Sequence, residues 1–213
     1  MENFHLTVFI CLAAPLSMML WIFKGRARAI LGFLLAGIFM GLFAGEINGL
    51  IRNVTDLSAR FLTVNITPIV EELLKAVPIV LVAFLLKPER QFLPECAITV
   101  GVGFATMENV CLLFDFASAL SPWEILARGF GAGMMHGIST LAVGYSMTFA
   151  SADRKLSYTG TIAALSAATI YHSIYNIMVQ SQYPTVGILL PIATYIPLMI
   201  FMGKQRRNSR DRG

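Results

Sequence analysis

Charge is scarce in this sequence. Only 13% of its 213 residues are Asp, Glu, Lys or Arg, about half the share in an ordinary soluble domain, while 56% are hydrophobic and the mean hydropathy is +0.71. That balance excludes a soluble globular chain and implies an integral membrane protein. Cysteine is scarce too. Cys11, Cys96 and Cys111 are odd in number and lack metal-type spacing, which argues against a disulfide framework or a thiolate zinc cluster and leaves small apolar packers. There is no His-Glu-x-x-His helix and no clear internal repeat. No basic region precedes the first apolar run, which begins Met1-Glu2-Asn3, so that run is expected to remain as a helix and not to be removed as a signal peptide.

What the chain has is long hydrophobic runs. Windows of about 20 residues give seven of them: Phe4 to Phe23, Ile30 to Leu50, Phe61 to Leu86, Cys96 to Phe114, Gly129 to Ala150, Thr159 to Val179 and Val186 to Met202. The expected fold is all-α, a polytopic bundle of about seven transmembrane helices. One domain covers residues 1–203, with a catalytic core near 61–180 and a basic tail at 204–213. Pro68 and Pro78 are expected to kink the third span. Of the 16 Lys and Arg, one set of alternate connections holds Lys24, Arg26, Arg28, Lys87, Arg90, Arg154, Lys155, Lys204, Arg206, Arg207, Arg210 and Arg212, and the opposite set only Arg52, Arg60 and Arg128. The positive-inside rule then puts the N-terminus outside and the C-terminus in the cytoplasm. The tail "KQRRNSRDRG" reads as an anchor to anionic lipid, not as a nucleic-acid site.

In such a chain the stretch "VEELLKAV" is costly. A carboxylate or ammonium at the centre of a membrane helix costs on the order of 2.5–3.5 kcal/mol, whereas each Leu, Ile or Val returns only about 0.3–0.6 kcal/mol. Glu71, Glu72 and Lys75 therefore nearly cancel the insertion energy of the third span. Glu108 lies in the fourth span, His136 in the fifth, and His172 with Asn176 in the sixth. Counting from the outer ends at about 1.5 Å per residue puts the carboxylates and imidazoles roughly 10–15 Å deep, in the outer half of the bilayer. A shared level on four successive spans is what a common site between helices requires. On a helical projection Lys75 lies between Glu71 and Glu72 and neutralises one of them, leaving the other to face the bundle interior; His172 and Asn176 share a face, as do Phe104 and Glu108. Gly37, Gly41 and Gly45, like Gly129, Gly133 and Gly137, recur every four residues and suit close helix packing, which in the fifth span would bring His136 within reach of the glutamates.

Four short patterns, in order on four successive spans, carry a resemblance: "EELLK" (Glu71 to Lys75), "FATME" (Phe104 to Glu108), the isolated His136 after "GAGMM", and "HSIYN" (His172 to Asn176). Together they resemble the signatures of PrsW-like intramembrane proteases, over roughly half the chain. The resemblance implies the broader superfamily of CAAX-processing endopeptidases, bacterial Abi-type proteins and the scaffold subunit of gamma-secretase. Lys75 and Glu108 fit the PrsW branch better than the CAAX branch, whose usual pattern has Arg in the first motif and His in the second. It further implies an endopeptidase of a prokaryotic cell membrane, of the kind associated with the first, extracytoplasmic cleavage of a membrane-anchored anti-sigma factor.

Hydrolysis in a membrane needs an activated water, a donor to the oxyanion and an acid for the leaving amine. Adjacent carboxylates in low dielectric resist double ionisation, so Glu71 and Glu72 are expected to share protons, biased by Lys75. Glu71 or Glu72 then acts as base, His136 and His172 position the water or protonate the leaving group, Asn176 donates to the oxyanion, and Glu108 sets the charge of a histidine. This account expects no cofactor. Zinc is the alternative, with His136, His172 and Glu108 as ligands and a second glutamate as base. The expected substrate is a single-span membrane protein. A proton- or cation-coupled transporter and a non-catalytic scaffold are the readings outside proteolysis. Among the remaining polar residues, Glu2 and His5 read as solvated and Asp115 as meeting headgroups; Glu46 and Asn48 read as interfacial, with an entrance to the site as the alternative. Asn53 begins a glycosylation pattern, and Trp21, Trp123 and Tyr183 read as belt anchors.

Overall fold

The computed structural model describes residues 4–85, 92–116, 121–149, 154–182 and 184–210. Glu2, Lys87, Arg90, Tyr183 and Arg212 fall outside the described residues, as do the side chains of Asp115, Arg154, Lys155, Arg206, Arg207 and Arg210. Every element among the described residues is helical. Seven long helices correspond to the seven apolar runs: α1 (Phe4–Ile22), α2 (Gly25–Val54), α3 (Thr67–Leu85), α4 (Leu93–Phe116), α5 (Pro122–Phe149), α6 (Arg154–Val179) and α7 (Pro184–Arg210). The helices α1 and α2, with Leu93–Phe114 of α4 and Tyr158–Val179 of α6, are long and apolar enough to cross a membrane. The helix α3 departs from that pattern because it carries Glu71, Glu72 and Lys75.

The helix α3 is built inside out relative to a water-soluble amphipathic helix. Glu71, Glu72, Lys75, Ala76 and Ile79 are buried on one face, while Ile69, Leu73, Val77, Leu81 and Leu85 repeat every four residues on the exposed face. In hydrocarbon that is the favourable orientation, since polar groups must find partners within the protein and apolar ones need none. Pro78 sits inside α3 without interrupting it, but Pro68 leaves a mark. A short turn, Ala59–Phe61, and a π-helical stretch, Leu62–Ile66, precede α3. Pro68 has no N–H, and the Thr67 N–H reaches back five residues to Leu62 O. Thr63 O is thereby deprived of both donors it would have in an α- or π-ladder. It accepts instead from Asn176 Nδ2 of α6, at 2.9 Å.

The central helix is α4, packed between α2 and α5, and α3 leans on α2, α4, α5 and α6. Glycine makes this possible. A Cβ on Gly37 of α2 would run into Val100 O, one on Gly103 of α4 into Leu34 O, and one on Gly101 of α4 into His136 O. The backbones of α2, α4 and α5 therefore touch, and Gly101 brings His136 close to α4. A Cβ on Gly129 or Gly133 would meet nothing within 4 Å, so the glycine stripe of α5 does not make the tight seam its spacing suggested there. At the start of α5, Glu124 Oε2 accepts from Ser121 N at 2.7 Å and Ser121 Oγ accepts from Glu124 N at 3.3 Å, with Pro122 as first helical residue. This reciprocal cap starts α5 well before its apolar run and puts Arg128 on the helix.

Candidate active site

Four helices bring their ionisable groups to one place. Glu72 Oε1 of α3 accepts from Lys75 Nζ at 2.6 Å, from His172 Nδ1 of α6 at 2.9 Å and from Ser139 Oγ of α5 at 3.2 Å. Lys75 Nζ, one turn on and fully buried, also donates to His136 Nδ1 at 2.9 Å and to Ser139 Oγ at 3.2 Å, and lies 5.2 Å from the centre of the Phe104 ring. The buried ammonium thus spends its donors within the site, as a desolvated charge must. The two imidazoles meet edge to face, their centroids 4.9 Å apart.

These bonds fix the tautomers. An ammonium only donates, so His136 Nδ1 accepts from Lys75 and Nε2 carries the proton that goes to Glu108 Oε2, 2.6 Å away. A carboxylate oxygen that already takes two donors accepts from His172 Nδ1–H, which in the neutral imidazole leaves His172 Nε2 with a lone pair. That lone pair faces Glu71 Oε2 at 3.8 Å. Glu71 Oε2 is itself buried without a hydrogen-bond partner. Two acceptors facing one another in a buried site lack a proton or a cation between them. Glu71 and Glu108 also border a cavity of about 70 Å³, which Glu72 does not line.

The donor set fits a metal. Glu71, His136 and His172 each offer one ligand atom, and the three atoms lie within 4.8 Å of one another. Three protein ligands from His and Glu are what catalytic zinc takes. This compact set has Glu71 where the sequence reading had Glu108; Glu108 is taken up by its bond to His136 Nε2. Asn176 does not join the carboxylates, since its Nδ2 goes to Thr63 O of the π-helical stretch.

Sequence reasoning passed over Ser139 and Thr140, both buried: the Thr140 hydroxyl donates to His136 O at 2.8 Å, and the Ser139 hydroxyl, whose proton goes to Glu72, lies 3.1 Å from the same oxygen. Their spacing of three and four residues after His136 was the available signal. It also passed over Arg128, assigned to a connection; on α5 its Nε is buried without a hydrogen-bond partner. The cap at Ser121 and Glu124 was the signal that α5 starts early.

A bundle of membrane-crossing helices closed around carboxylates, imidazoles and a water-sized cavity defines a membrane-embedded hydrolase. The chain belongs to the PrsW family of intramembrane metalloproteases, whose family model matches residues 25–202 and so takes in all four helices of the site. No curated protein and no solved structure matches it. The protein is accordingly an integral membrane endopeptidase that acts on membrane proteins. The transporter and scaffold readings give way to that membership.

Proposed function

We propose that the chain hydrolyses a peptide bond of a single-span membrane protein in the outer half of the bilayer, an anti-sigma factor being the substrate type, with Glu71 and Glu108 as the carboxylates that face the water. The observation that carries this reading is the division between the paired glutamates. Glu72 Oε1 is saturated by three donors; Glu72 Oε2 and Glu71 Oε2 are both buried without a partner, but of the two residues it is Glu71 that borders the cavity with Glu108.

Glu71, His136 and His172 would hold a zinc ion, His136 giving up its Nε2 proton and with it the bond to Glu108; when bound the ion lowers the pKa of water and polarises a carbonyl. Around them, Glu72 fixes the His172 tautomer through Nδ1 and keeps Nε2 turned towards Glu71. Lys75 balances the charge of Glu72 and orients His136 through Nδ1. Glu108, whose side chain is 30% exposed, takes the proton from the attacking water and returns it to the leaving amine. A metal-free reading remains, and one observation favours it: both nitrogens of His136 are already engaged, by Lys75 and Glu108. In that case Glu71 is the base. Orientation with the N-terminus outside and binding of anionic lipid by the basic tail belong to the same proposal.

Purified protein in liposomes with a single-span reporter substrate tests it. Cleavage is expected in the parent, and Glu71→Gln and Glu108→Gln are each expected to lower kcat by at least about 100-fold, within the range that proton transfer by a positioned group contributes. Full activity in either variant refutes the assignment. About one zinc per chain, lost on His172→Ala, supports the zinc reading; undiminished activity of metal-free protein refutes it.

A further inference from the structure

Each turnover consumes a water molecule, yet Glu72, Lys75, His136 and His172 are each no more than 2% exposed. Water needs a way in. The cavity beside Glu71 and Glu108 holds roughly two molecules at liquid density, and the carboxylates give them polar partners. His5 of α1 also lines it, and His5 Nδ1 lies 3.2 Å from Glu46 Oε1 of α2, a pair whose side chains are 41% and 66% exposed. Gly45 leaves the passage open: a Cβ there would stand 3.8 Å from His5 Nδ1, so a longer side chain would fill the space between them.

We infer that this cavity is the route by which water reaches the site, with His5 and Glu46 as positioning residues at its mouth. The inference rests on the reading of Glu71 and Glu108 as the water-facing carboxylates. A polar mouth matters because a narrow constriction lined only by apolar groups dewets. The helix α1 lies outside the residues matched by the family, so half of this mouth comes from a segment the match does not cover.

Cys111 of α4 lines the same cavity and supplies a reporter. In a Cys11→Ala, Cys96→Ala background in phosphatidylcholine nanodiscs, the water-borne reagent methanethiosulfonate ethylammonium is expected to label Cys111. Gly45→Leu is expected to slow labelling severalfold and to lower kcat on a single-span substrate with KM unchanged. His5→Leu combined with Glu46→Leu, at exposed positions where folding is undisturbed, is expected to do the same. Gly45→Ala, whose Cβ makes only ordinary contact, is expected to restore both. Absence of labelling in the parent, or labelling indifferent to Gly45→Leu and to the paired leucines, overturns the route. A rise in KM with kcat unchanged also overturns it, because the cavity would then admit substrate. Labelling is read without catalysis, so inactive glutamate variants that label normally, or active ones, judge the site and the route separately.

Discussion

Replacing Glu71 and Glu72 by Gln, one at a time, separates two residues that adjacency in the sequence makes look equivalent. Glu72 and Lys75 are 1% and 0% exposed, and Glu72 Oε1 collects Lys75, His172 and Ser139 at 2.6, 2.9 and 3.2 Å. Glu72→Gln keeps the shape of the side chain but leaves the Lys75 ammonium buried without its anion. Removing one partner of such a pair costs about 3–5 kcal/mol. Glu71 Oε2 accepts no hydrogen bond, and its neighbour His172 Nε2 stands at 3.8 Å. With cations removed, Glu71→Gln therefore takes away a buried carboxylate oxygen that no donor serves, and stability is expected to fall by less than about 1 kcal/mol or to rise. Unfolding of both variants in mixed micelles by increasing mole fraction of dodecyl sulfate, with chelator present and followed by far-ultraviolet circular dichroism, reads the difference. Both variants are expected to lose cleavage, but only Glu72→Gln should unfold early. Equal destabilisation, or a larger loss for Glu71→Gln, refutes the division of roles.

Three further outcomes are expected. In a double-mutant cycle, Lys75→Met with Glu72→Gln should cost less than the sum of the single changes by about 1–3 kcal/mol, measured by the same unfolding; additivity would deny that the pair is coupled. Gly101→Ala forces a methyl into His136 O and should cost about 1–3 kcal/mol by overpacking while lowering kcat, whereas Gly133→Ala, with open space before it, should change neither. Asn176→Leu strands Thr63 O, and faster amide hydrogen exchange is expected across residues 62–68, with a loss of about 1–3 kcal/mol; unaltered exchange there would mean that the Asn176 bond does not hold the π-helical stretch.

The helical membrane bundle was legible because hydropathy is a long-range signal: seven apolar runs became seven helices, in the same order. Helix starts were less legible. The starts of α2 at Gly25 and of α5 at Pro122 are set by local capping and backbone geometry, which hydropathy does not register. The meeting of Glu71, Glu72, Glu108, His136 and His172 follows from the cost of leaving any of them to lipid, which is a property of composition and depth. Their individual partners are not. The engagement of Asn176 with Thr63 depends on Pro68 removing a donor five residues after Thr63, and it takes both the turn and the distant helix to see it. The spacing argument held for Gly37 and Gly41 of α2, which do face close neighbours on α4, but it missed Gly101 and Gly103 of α4, which are two residues apart and belong to no four-residue stripe, while the regular stripe at Gly129 and Gly133 faces open space.

The choice between Glu71 and Glu72 shows where helix geometry stops and tertiary structure takes over. Lys75 is four residues from one and three from the other, and both spacings permit an ion pair on a helix. Nothing within α3 prefers Glu72. The preference comes from outside, since Ser139 of α5 and His172 of α6 both donate to the oxygen that Lys75 holds, and an acceptor gains most where donors converge. The same ion pair then orients both imidazoles, His136 through Lys75 and His172 through Glu72, so that each turns its Nε2 towards a carboxylate at the cavity. An expensive buried pair in a membrane helix is thereby accounted for by what it positions. Glu71, set about 100° round the helix from Glu72, is the carboxylate that this arrangement leaves at the cavity, with no donor to its Oε2.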